Sequence, residues 1–113
     1  MNRLECLEAA IDAVSRRAGQ YGPPEKNFGN IANKWRSYLS NKWSRDVYLD
    51  GVDVALMMIE LKIERVRENP FHYDSWVDIA GYAAAGAEVA CELEQINRDD
   101  CDFNINHHGE ELV

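Results

Sequence analysis

Residues Asp50 to Tyr82 read DGVDVALMMIELKIERVRENPFHYDSWVDIAGY. The six residues Val54 to Ile59 are all apolar, as expected of a central helix touched on several sides. Asp50 can cap its start, with Asp53 three residues on. Apolar positions then thin to Leu61, Ile63 and Val66, and Asn69-Pro70 stops the helix. A further helix is expected from about Ser75 to Ile96. Its stripe is Trp76, Ile79, Ala80, Ala83, Ala87, Ala90 and Leu93. The run Gly81 to Ala87 is thin enough to let another helix, of this chain or of a second subunit, approach closely.

Upstream, Leu4, Leu7, Ile11 and Val14 share one face of a helix expected over Arg3 to Ala18. Gly19, Gly22 and Pro23-Pro24 mark a stop, a turn and a new start. The helix expected from about Glu25 to Leu39 carries Phe28, Ile31, Ala32, Trp35 and Leu39 as its stripe. Ser40 to Leu49 reads as a connection. Residues 97–113 lose all periodicity and read as an acidic, mobile tail on a 1–96 domain. There is no strand alternation, no internal repeat and no heptad run long enough for a coiled coil. The fold class expected is all-α, a four-helix bundle.

The chain is 113 residues with a formal charge of −8. Half of that charge lies in residues 96–113, where five acids are set against Arg98 alone. A net-acidic body without a basic stripe argues against a nucleic acid polymer as partner. No apolar run approaches the ~20 residues that span a membrane, and the acidic N-terminus does not resemble an export signal. Three cysteines without paired spacing read as reduced thiols, so the cytoplasm is the expected location. Cys101, His107 and His108 match no zinc spacing.

The candidate chemistry lies close to the apolar stretch. Lys62 and Arg65 can clamp phosphates, one as a point charge and one as a planar fork. Pairing with Glu60, Glu64 or Asp78 is their structural alternative. Asp74 and Asp78 lie one turn apart and can hold a metal or simply cap a helix, Ser75-x-x-Asp78 having capping-box spacing. Glu60 borders the buried run and needs a partner there. Tyr21, in a Gly-flanked turn, is a candidate for stacking on a base.

Two motif groups resemble a small phage-associated branch of the MazG-like all-α NTP pyrophosphohydrolases. One is Asp53-Val-Ala-Leu-Met-Met-Ile-Glu-Leu-Lys-Ile-Glu-Arg65 with Asp74-Ser-Trp-Val-Asp78-Ile-Ala-Gly-Tyr82. The other is Arg17-Ala-Gly-Gln-Tyr21-Gly22 with Asn27-Phe28 and Ala32-x-x-Trp35. The resemblance spans roughly residues 5 to 90. It implies a dimeric or tetrameric bundle with a nucleotide site between helices and subunits. Active members bind magnesium through ExxE and ExxD and convert a nucleoside triphosphate to its monophosphate and pyrophosphate. Here Asp78 matches the last acid of ExxD, but Ser75 stands where its Glu would be, and Glu60 and Glu64 are four apart instead of three.

Three functions are therefore weighed. The first is a binding protein that sequesters a nucleotide or cyclic nucleotide-type signal as a phage counter-defence, needing no cofactor. Its ligand residues would be Lys62, Arg65, Tyr21, Arg17 and Tyr82. The second is a magnesium-dependent pyrophosphohydrolase, with Glu60, Asp74 and Asp78 on the metal. The third is an interaction bundle.

Overall fold

The computed structural model describes residues 1–97, which form four α-helices: α1 (Arg3–Tyr21), α2 (Pro24–Trp43), α3 (Gly51–Glu68) and α4 (Tyr73–Asn97). No strand occurs among the described residues. The acidic tail expected over 97–113, and Cys101, His107 and His108 within it, lie outside them apart from Asn97.

Local signals account for most boundaries. The Asn2 side chain accepts from the Glu5 backbone, and Glu5 reaches back to the Asn2 amide, at 2.9 and 3.0 Å. The same reciprocal box joins Asp50 and Asp53 at the start of α3, which gives Asp53 the capping role that its spacing offered. Gly22 ends α1 with φ +79°, a conformation that side chains other than glycine's resist. Both α1 and α2 run longer than the Ala18 and Leu39 expected. α1 continues to Tyr21, and Gly22, with its positive φ, caps it. α2 continues to Trp43, and Ser44 caps it in the left-handed conformation with φ 53°. α4 begins at Tyr73, so Ser75 is inside the helix and fully buried. Its hydroxyl lies 2.7 Å from His72 Nδ1, and no Ser75–Asp78 capping box forms.

The core gathers Phe28, Ala32, Val54, Ala55, Tyr82 and Val89, with Ile31, Trp35, Met58 and Leu93 packed around it. α3 and α4 form the tightest pair. A Cβ built on Gly86 would lie 2.9 Å from the Ala55 Cβ, so the thin stretch of α4 admits α3 of its own chain. Arg36 ties the α2–α3 connection down. Its Nε donates to the Val47 carbonyl at 3.2 Å, and its guanidinium lies 5.1 Å from the Tyr48 ring centre.

Two expectations about burial fail. The apolar stripe of α1 does not face the core: Leu4, Leu7 and Ile11 are 63, 54 and 64 % exposed, and Ala10 is the buried residue of this helix. α1 packs on α4 through the flank that carries Ala10 and Val14, beside the exposed part of the stripe, and α3 does not reach it. On α3, Val54 and Ala55 are buried but Leu56 and Met57 are exposed, so that helix is central on one side only. Cys6 is free, whereas Cys91 is disulfide-bonded, so the expectation of reduced thiols fails at Cys91. No helix among the described residues is long and apolar enough to cross a membrane.

Candidate functional site

A cleft of about 250 Å³ opens between α1, the start of α2 and α4. Four residues of α4 reach it, Asp78, Gly81, Ala85 and Glu88, at spacings of 3, 4 and 3 that define one helix face. α1 contributes Val14, Arg17 and Ala18, and α2 contributes Asn27 and Phe28. The walls are largely apolar, with one cation, two acids and one amide at defined places.

Arg17 is held over the aromatic face of Tyr82, its guanidinium carbon 4.7 Å from the ring centre. Tyr82 is itself buried and tilted against Phe28, with ring centres 6.2 Å apart. Tyr82 thus serves as a platform beneath Arg17. Asp78 is answered by Lys62, whose Nζ lies 2.9 Å from its carboxylate, with side chains only 23 and 12 % exposed. The structural alternative offered for Lys62 is therefore realised, and the pair sits at the cleft's α3 side.

The other expected site residues are dispersed. Tyr21 is 62 % exposed and does not line the cleft, although Gly22 beside it does. Arg65 lies in a separate shallow depression with Glu64, Glu68, Asn69 and His72. Glu60 and Asp74 are exposed. Helical phase explains Glu60: two residues along a helix turn through about 200°, so turning Lys62 toward Asp78 turns Glu60 away. No group of three His, Cys, Asp or Glu that could hold a metal ion occurs among the described residues. The expected set of Glu60, Asp74 and Asp78 does not come together, and these residues do not fit magnesium within one chain.

Asn27 and Glu88 are site residues that the reading of the sequence did not assign. The 3, 4, 3 spacing back to Asp78 was the available signal for Glu88. Asn27 had none beyond its neighbour Phe28. A larger and more open cleft lies between α2 and the start of α3, but its Arg36 is engaged with Val47, Tyr48 and Asp46.

The profile of a family described as a domain of unknown function, DUF6378, matches residues 5–90. The chain belongs to the DUF6378 family. Every residue placed on the cleft lies within that matched span. Two curated relatives are both called Gene 55 protein. The one from Mycobacterium phage L5 is 47 % identical over 83 residues, covering 74 % of this chain and 49 % of the relative. The one from Mycobacterium phage D29 is 40 % identical over 67 residues, covering 59 % and 40 %. The chain thus spans half or less of the length of these relatives. Both are phage proteins, in keeping with the phage association of this DUF6378 chain. No solved structure matches it.

Proposed function

We propose that the α1–α2–α4 cleft binds a small nucleotide or cyclic nucleotide-type signal and sequesters it without turnover. The observation that carries this reading is the placement of Arg17. A permanently charged fork is fixed over Tyr82 at the mouth of a mostly apolar cleft. An apolar slot suits the faces of a base, and Asn27, Asp78 and Glu88 supply an amide and acceptors for its polar edge. Arg17 meets the phosphate. Lys62 is a second cation close by, released if a ligand phosphate displaces Asp78.

Asp78, the acid that matches the last position of ExxD in the MazG-like resemblance, lies on this cleft. Sequestration is favoured over pyrophosphohydrolysis because no group of acids among the described residues of one chain assembles around a metal position. Hydrolysis by that route needs cations to neutralise phosphate charge and position water. Phage relatives give sequestration a setting, in which removing a nucleotide signal would blunt host defence in the cytoplasm.

The test is incubation with a nucleotide mixture and magnesium, followed by chromatography before and after heat-denaturing the protein. A nucleotide that disappears and returns intact supports sequestration. Conversion to a monophosphate with pyrophosphate release would establish the enzyme instead. Calorimetry showing no nucleotide bound more tightly than about 1 mM, roughly −4 kcal/mol, would defeat the binding reading.

A further inference from the structure

Leu4, Leu7, Ile11, Val14 and Ala18 recur on α1 at 3, 4, 3 and 4 residues, the spacing of a two-heptad seam. The first three are more than half exposed, while Val14 and Ala18 run into the mouth of the cleft. The positions flanking the seam carry Arg3 on one side and Glu8 on the other. Neither makes an ion pair among the described residues; the nearby Glu5 is occupied in the Asn2 capping box.

We infer that this seam pairs in parallel with α1 of a second copy of the chain, and that each copy closes the open side of the other's cleft. Charge chooses both the occupant and the direction. In a parallel pair a flanking residue on one helix lies beside the opposite flanking residue five positions on in the other. That sets Arg3 against the second copy's Glu8, twice by symmetry. An antiparallel pair would set Arg3 toward the second copy's Arg17. Two heptads suffice because each α1 is already held helical by its own domain, so association does not bear the cost of helix nucleation. The outer face of α4, with Trp76, Ala83, Ala87 and Ala90, is also exposed. It is built mostly of alanine and carries no charge pattern to select a partner. The pairing stands or falls independently of what the cleft binds.

The experiment is light scattering coupled to size exclusion on the full chain, with circular dichroism as a check on folding. The wild type is expected to be dimeric, or an even-numbered assembly of dimers. Leu7→Glu and Ile11→Glu, at exposed positions, should keep their helicity and lose the α1 pairing. Arg3→Glu and Glu8→Arg should each weaken the dimer by about tenfold, as like charges come to face each other. The double variant Arg3→Glu/Glu8→Arg should recover wild-type dimerisation. A wild type that is monomeric at its highest soluble concentration overturns the inference. So does an assembly that Leu7→Glu leaves unchanged, or a double reversal that fails to restore pairing.

Discussion

Lys62 on α3 and Asp78 on α4 form an ion pair at 2.9 Å across the tightest helix contact in the molecule, beside the cleft. Lys62 is the more buried partner, so the two halves of the pair are not equivalent. Asp78→Ala should cost about 1–3 kcal/mol, because it strands a mostly buried ammonium. Lys62→Met should cost less than about 1 kcal/mol, since water reaches Asp78 more easily and the methionine keeps the packing. Urea denaturation of both variants and the double variant measures the difference, and a cycle closing without coupling would mean that the pair contributes nothing.

Gly86 tests how closely α3 and α4 pack. Gly86→Ala would place a methyl 2.9 Å from the Ala55 Cβ. Overpacking of this kind should destabilise by about 1–3 kcal/mol despite the better helix former. Gly29 is the control. It also lies within a helix, but a Cβ there meets nothing within 4 Å. Gly29→Ala should raise stability by up to about 1 kcal/mol. Thermal unfolding of the two variants should therefore move in opposite directions.

The Asp50–Asp53 box gives a prediction about α3 alone. Asp50→Ala removes the acceptor for the Asp53 amide at 3.1 Å and should cost about 1 kcal/mol. Asp50→Asn should retain most of that stability because the amide oxygen still accepts. Equal loss in both variants would assign the effect to charge at the helix start instead of to the hydrogen bond.

Two arginines separate the cleft from the region that the sequence emphasised. If the cleft binds a phosphate-bearing ligand, Arg17→Ala should weaken it by about 10- to 100-fold, the loss of a charge-assisted contact. Arg65→Ala should leave affinity unchanged, since Arg65 lies in a separate depression. Titration calorimetry with the nucleotide identified by the sequestration assay reads both. The reverse ranking would move the site to the α3–α4 turn.

The helices were legible because their determinants are local. Asp50 and Asp53 meet three residues apart, Asn69-Pro70 interrupts α3 without help from elsewhere, and the stripe of Phe28, Ala32 and Trp35 identifies the inner face of α2. Where the expected ends fell short, at Ala18 and Leu39, the true stops were residues of positive φ one turn or so further on. Helix 4 was displaced because Ser75, which looks like a cap, is instead buried against His72.

The site was legible only in part. Lys62 and Asp78 could be singled out by residue type and spacing, and Arg17 through the family resemblance, but which charges meet depends on the angle at which each helix presents them. That angle turned Lys62 toward Asp78 and left Glu60 and Asp74 facing solvent. The sequence by itself determined four helices, the Asp50–Asp53 cap of α3 and its Asn69-Pro70 stop, because each follows from interactions within a turn or two of chain. Only the tertiary structure decided that Arg17, Asn27 and Asp78 line one cleft and that the α1 seam is left uncovered. Those facts depend on how distant helices are set against one another, and helix periodicity carries no information about the neighbour.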